Sequence, residues 1–161
     1  RVETNLFYTR VDDLIAFEGF NFQAINIDEA SVEGIEVIVD KRLDEWSLGA
    51  DLTWQRARNE TDGSPLLRRP DEKLVLTATR ELARGGAISG EAVLVGERPD
   101  RGAELAGYGL INLSARYPIH RSVFVEGRIE NLLDQQYRLV DGFNTPGASV
   151  FVGLRYRPGG P

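Results

Sequence analysis

The stretch from Tyr108 to Asn131 reads YGLINLSARY (108–117), PIHR (118–121) and SVFVEGRIEN (122–131): strand, turn, strand. In the first arm Ile111, Leu113, Ala115 and Tyr117 fall on one face, and Asn112, Ser114 and Arg116 on the other. In the second arm Val123, Val125, Gly127 and Ile129 alternate with Phe124, Glu126, Arg128 and Glu130. Successive side chains leave opposite faces of a pleated strand, so a period of two marks a sheet with two chemically different sides. A small soluble barrel hides its apolar side and shows its charges. Here the apolar side is aliphatic, continuous and closed by an aromatic, and the opposite side carries Arg116, Glu126, Arg128 and Glu130. That inversion fits a wall with lipid outside and a wet, polar interior.

Composition narrows the classes. A length of 161 residues is enough for one domain, and 42% hydrophobic with 27% charged residues argues against disorder. A net charge of −6, without any Lys/Arg cluster, argues against a nucleic-acid partner. The absence of cysteine removes disulfides and Cys-based metal sites, and a single histidine, His120, closes off most metal and triad chemistry. No apolar run approaches the ~18 residues of a spanning helix. No signal peptide precedes the strand-like sequence after Arg1, so the chain reads as a piece of something longer.

Strands are expected at 2–17, 23–40, from 46, at 71–82, at 87–98, in the two arms above and at 147–157. In the third, Trp46, Leu48, Ala50, Leu52 and Trp54 line one face and Ser47, Gly49, Asp51, Thr53 and Gln55 the other. At roughly 3.3 Å per residue and a tilt of about 40°, the two tryptophans differ by about 20 Å in height, close to the ~25 Å apolar band flanked by aromatic girdles in membrane barrels. The connections alternate in length: 41–45, 59–70, 83–86, 99–106, 118–121 and 132–146. In an up-and-down meander, alternate connections share one end, so the short turns collect at one rim and the long loops at the other. The expected fold is an all-β, antiparallel up-and-down transmembrane β-barrel portion of about eight strands.

Four stretches resemble the C-terminal barrel portion of the TonB-dependent outer-membrane receptors. They are Asp13-Leu14-Ile15, Gly34-Ile35-Glu36, Asn131-Leu132-Leu133-Asp134-Gln135-Gln136-Tyr137 and Phe151-Val152-Gly153-Leu154-Arg155-Tyr156. Ser64-Pro65-Leu66-Leu67-Arg68-Arg69-Pro70 further resembles the branch that takes up cobalamin. The resemblance implies a 22-stranded barrel in the Gram-negative outer membrane, filled by an N-terminal plug that this sequence does not contain. Residues 1–158 would form the C-terminal part of that barrel and 159–161 a short tail. It also implies uptake of a scarce nutrient, cobalamin or a ferric siderophore, with no cofactor and no catalysis. The implied partners are the lipid bilayer and lipopolysaccharide, the small-molecule cargo, and TonB reached through the plug region. Where the family ends its last strand in an aromatic, the position two beyond Tyr156 is Pro158.

Import requires transient holding of a ligand rather than bond-breaking. Arginines on long loops suit anionic or amide-rich ligands, because guanidinium donors bind phosphate and carboxylate in pairs. Arg68 and Arg69 stand at the end of the 59–70 loop; the resemblance to the cobalamin branch implies that Arg68 reaches the ligand, with Arg69 a candidate beside it, and Arg98, with Asp100 and Arg101, is placed similarly on the next loop. The competing reading pairs the loop arginines with carboxylates such as Glu97 or Glu130. Asp12-Asp13 and Asp28-Glu29 lack the spacing of a calcium loop and read as solvated rim charges. His120, beside Ser122, reads as a solvated turn residue, because nothing supplies an acid or an oxyanion hole. Asn131 and Asp134 read as groups that bond local backbone. Two other architectures are compatible with eight strands. One is an autonomous eight-stranded membrane barrel, which needs its first and last strands to pair. The other is a soluble lipocalin-like binder, which needs an apolar interior.

Overall fold

The computed structural model describes residues 1–18, 21 and 23–158. Eight strands form one antiparallel meander: β1 (Val2–Glu18), β2 (Gln23–Leu43), β3 (Trp46–Asn59), β4 (Glu72–Leu82), β5 (Gly86–Val95), β8 (Tyr108–His120), β9 (Val123–Glu130) and β10 (Ser149–Tyr156). Between β5 and β8 the chain makes a separate two-stranded hairpin, β6 (Arg98–Asp100) with β7 (Ala103–Leu105). The loop expected at 99–106 is thus an ordered hairpin, and β5 stops at Val95 rather than at residue 98. The β6–β7 turn uses Arg101 and Gly102, with Gly102 at φ 67°, a left-handed conformation that glycine adopts without strain.

Register puts the sides where the period of two assigns them. Trp46, Ala50, Leu52 and Trp54 of β3 lie opposite Arg80, Leu76, Leu74 and Glu72 of β4. The same side continues through the pairs Leu76–Ala92, Ala92–Ile111, Leu113–Ile129 and Ile129–Val150. It is bare: Trp54 is 47% exposed and Leu154 74%, and the buried hydrophobic residues among those described are Ala30, Ala57 and Leu105. Among the described residues no dry core forms behind this sheet, which counts against the lipocalin-like reading. Trp46, Tyr117 and Tyr156 ring the short-turn rim, and Tyr8 and Trp54 stand toward the other rim. Arg80 lays its guanidinium 5.7 Å from the Trp46 ring centroid, an arrangement suited to an interface where one end of the side chain is wet.

The opposite side carries the charges. Arg116 lies across from Glu126, Arg155 pairs with Glu126 at 3.0 Å, and Arg128 pairs with Glu130 at 3.1 Å while stacking 4.2 Å over the Phe151 ring. This side is not uniformly polar, because Val75, Val93 and Leu110 occupy one register row. Gly34 also belongs to it. An added Cβ there would lie 2.4 Å from the Trp54 carbonyl oxygen and 2.7 Å from Phe7 Cζ, so the Phe7 ring occupies the space a side chain would need.

The connections sort as expected. Asp44–Glu45, Ala83–Gly85 and Arg121–Ser122 lie at one rim, and the 60–71, 96–107 and 131–148 segments at the other. Several boundaries move. β2 runs on to Leu43, so its turn is shorter than 41–45, with Asp44 at φ 50°. β8 extends through His120, which is an exposed strand end rather than a turn residue, and the ladder slips between Pro118 and His120 because proline has no N–H to donate. Strand β1 takes a positive φ at Asp13 (56°) yet keeps its register, with Leu14 opposite Ile27. β1 and β10 each pair on one side only, so the sheet stays open and the closure required of an autonomous eight-stranded barrel is not made.

Candidate functional site

The candidate site lies at the long-loop rim, on the polar side. The 60–71 loop folds back along its own strand: Leu66 N–H donates to the Ala57 carbonyl at 3.0 Å and Arg58 bridges to Pro65. Side chains shape its tip, with Asn59 Oδ1 accepting from Thr61 N–H and Asp62 Oδ1 from Ser64 N–H, each at 2.9 Å. Its C-terminal half reaches the β6–β7 hairpin. There Arg68, at φ 61°, donates its N–H to the Pro99 carbonyl at 2.7 Å.

The sequence-predicted residues have different fates. Arg68 Nε bonds Asp100 Oδ1 at 2.9 Å and stays 39% exposed along its side chain. Its partner is neither Glu97 nor Glu130. Arg69 is exposed and bonds no described residue. Arg98 is only 3% exposed; its Nη2 donates to the Arg138 carbonyl, its guanidinium sits 5.3 Å from the Tyr108 ring centroid, and Nη1 has no hydrogen-bond partner among the described residues. Arg68 and Arg98 thus meet at one strand of the hairpin, while Arg69 stands apart on the surface. Arg101 Nη2 reaches the Phe17 carbonyl at 2.6 Å.

Asp100 lies at the centre of this cluster, its side chain 1% exposed. Oδ1 also accepts from Arg101 N–H at 2.8 Å, and Oδ2 accepts from Asp141 N–H at 2.7 Å. Burial alone would raise its pKa. The N–H groups of Asp141 and Arg101, together with Arg68, outweigh that and hold the carboxyl below the usual aspartate range.

The 131–148 loop is anchored by the NLLD stretch. Asn131, buried with φ 51°, receives Gln135 N–H on Oδ1 at 2.8 Å and donates Nδ2 to the Gln135 carbonyl at 2.9 Å. Asn112 Oδ1 accepts Asn131 N–H at 2.9 Å, and Asp134 Oδ1 accepts Ala148 N–H at 2.8 Å. These are the local backbone bonds expected of that stretch. So held, the loop leans over the polar side, where Tyr137 meets Tyr108 with ring centroids 4.5 Å apart. Between this loop and the hairpin is a cavity of about 860 Å³, bordered by Glu104, Gln136, Arg138, Asp141, Asn144 and Thr145 among others. Sequence reasoning missed both cavity and hairpin; the available signal was Arg101-Gly102 between two short runs. At the candidate calcium positions, Arg10 pairs with Glu29 at 2.6 Å and with Asp12 at 3.4 Å, and Asp13 accepts from Asn26. The side chain of Asp28 lies outside the described residues.

A wall that is apolar outside and charged inside, with loops sorted by length and a polar cavity at one rim, defines a segment of an outer-membrane β-barrel. Residues 1–132 match the family described as TonB dependent receptor-like, beta-barrel, and the chain belongs to that family of Gram-negative outer-membrane receptors and transporters. It is 28% identical over 160 residues to the Vitamin B12 transporter BtuB of Vibrio vulnificus, covering 95% of this chain and 25% of the transporter. It superposes on the copper transporter OprC with a TM-score of 0.82 at 21% identity, covering 96% of this chain and 28% of that one. A variant of the ferric enterobactin receptor PfeA of Pseudomonas aeruginosa, in complex with enterobactin, gives 0.79 at 17% identity, covering 96% and 29%. The two structural likenesses concern the fold. The chain spans about a quarter of the length of the BtuB relative.

Proposed function

We propose that this chain is wall and rim of a TonB-dependent receptor that imports cobalamin. The observation that supports this cargo is the 28% identity to a vitamin B12 transporter, sustained over 95% of the chain. In this reading residues 1–158 form the C-terminal part of the barrel wall, 159–161 are a tail, and strands outside this chain pair with the open edges of β1 and β10. The bare aliphatic side faces the bilayer, lipopolysaccharide packs on its outer leaflet, and TonB acts through a plug elsewhere in the receptor. Arg69 and the exposed part of Arg68 offer guanidinium donors to the ligand. Arg98 serves the same site from beneath, fixing the backbone at Arg138 on the cavity wall. A ferric siderophore is the competing cargo, favoured by the same arginines because paired N–H donors suit anions.

Equilibrium binding to the full-length receptor containing this chain tests the cargo. Cyanocobalamin is expected to bind saturably and a ferric siderophore not to compete. Saturable siderophore binding without cobalamin binding overturns the reading.

A further inference from the structure

The long connections at this rim are remote from one another in sequence, yet the β6–β7 hairpin bonds residues of three separate segments. It holds the 60–71 loop through Arg68, the end of β1 through Phe17, and the 131–148 loop through Arg138 and Asp141. Within this set one group makes two of the four links. The Asp100 carboxylate takes donors from three places, Arg68 Nε, Arg101 N–H and Asp141 N–H, at 2.9, 2.8 and 2.7 Å. Deleting a carboxylate that is removed from water, with both oxygens occupied, takes the shared acceptor from all three donors at once.

We infer that Asp100 is a positioning residue for ligand capture, tying the 60–71 and 131–148 loops to the hairpin so that the ligand-facing rim is preorganised as one unit. The inference rests on the receptor reading of the rim and adds its mechanism. Preorganisation raises affinity by removing the cost of ordering loops when the ligand arrives. Asp100 touches no ligand in this scheme. It acts through Arg68, whose guanidinium it orients, and through Asp141, which borders the cavity and pairs with Arg138 at 3.2 Å.

The test uses the full-length receptor in detergent, without ligand and then with cyanocobalamin or a ferric siderophore as probes. In Asp100→Ala, amide hydrogen exchange is expected to accelerate together at Arg68, Arg101 and Asp141, by roughly ten- to a hundredfold, with β3 and β9 unchanged. Affinity for whichever probe the parent receptor binds is expected to fall by a similar factor. Asp100→Asn keeps one acceptor oxygen and the shape of the side chain, so intermediate exchange and intermediate affinity are expected of it. It also keeps the question answerable if the alanine variant does not insert. Acceleration confined to the 98–105 hairpin overturns the coupling. Coupled acceleration with unchanged affinity overturns the positioning role. Failure of both probes to bind the parent receptor counts against the cargo reading and leaves the exchange result to decide the coupling.

Discussion

Ala50 separates a lipid-facing wall from a water-facing one. It sits midway between Trp46 and Trp54 on the apolar side, with Val39 and Leu76 as cross-strand neighbours. Four residues at ~3.3 Å, tilted about 40°, put it about 10 Å in height from either tryptophan, near the centre of a ~25 Å band. An arginine at the midplane of a barrel costs ~2–4 kcal/mol, which at 1.4 kcal/mol per decade is roughly a 30- to 700-fold loss in the folding equilibrium. On a sheet face bathed in water the same substitution would stay within about 0.5 kcal/mol. Asp51→Arg puts an identical side chain one residue away on the polar side, opposite Ile38 and Val75, and is expected to cost less than about 1 kcal/mol. Ala50→Leu adds volume without charge and is expected to be neutral. The assay is reversible guanidinium unfolding of the full-length receptor in lipid vesicles. Equal costs for Ala50→Arg and Asp51→Arg, or a cost near zero for the former, would refute the assignment of sides.

Four further outcomes are expected. Gly34→Val forces a side chain against the Trp54 carbonyl and the Phe7 ring, so the same unfolding assay should show a loss of ~1–3 kcal/mol, and an unaffected midpoint would mean that both the Phe7 ring and the β3 backbone at Trp54 and Gln55 give way without cost. Asn131→Ala strips a buried amide from the base of the 131–148 loop, and limited proteolysis should then cut that loop well before any strand. Arg68→Ala should weaken ligand binding in the full-length receptor, whereas an unchanged dissociation constant removes Arg68 from the site. Asp100 has a depressed folded pKa, so its contribution is fully present above its ordinary value of 3.8 and is lost as pH falls through the lower folded value. Loop protection against exchange should therefore be flat from pH 8 to 5 and fall only below about pH 4, and a loss centred near pH 6 would point to another group.

The wall was legible because its information is local. In β3, β8 and β9 most residues declare their side through their immediate neighbours, and a one-residue slip would turn Leu48 and Leu52 into the lumen; Val75, Val93 and Leu110, apolar on the polar side, carry no such mark. The boundaries that moved lie where that information fades. β2 continues through Lys41 and Arg42 because long charged side chains can stand at a rim without leaving the strand. His120 stays in β8 although Pro118 precedes it, since the ladder absorbs the missing N–H by shifting register. Asn131 was readable for a different reason. A short polar side chain at a strand end has few options other than nearby backbone.

The rim obeys another rule. Asp100 and Arg68 are 32 residues apart, Arg98 and Arg138 are 40 apart, and Asp100 and Asp141 are 41 apart, with no period linking them. Loop lengths told where these residues would gather, since a meander delivers alternate connections to the same end. They could not tell which arginine would be spent on structure. Arg68, Arg69 and Arg98 look alike in sequence as cations on long loops, but a buried carboxylate on the hairpin claims the first and the Arg138 carbonyl claims the third. Arg69 is exposed and bonds nothing described. The division of roles among like charges is therefore decided by the hairpin, and the hairpin is the element whose signal, a two-residue turn between three-residue strands, is too short for periodicity to register.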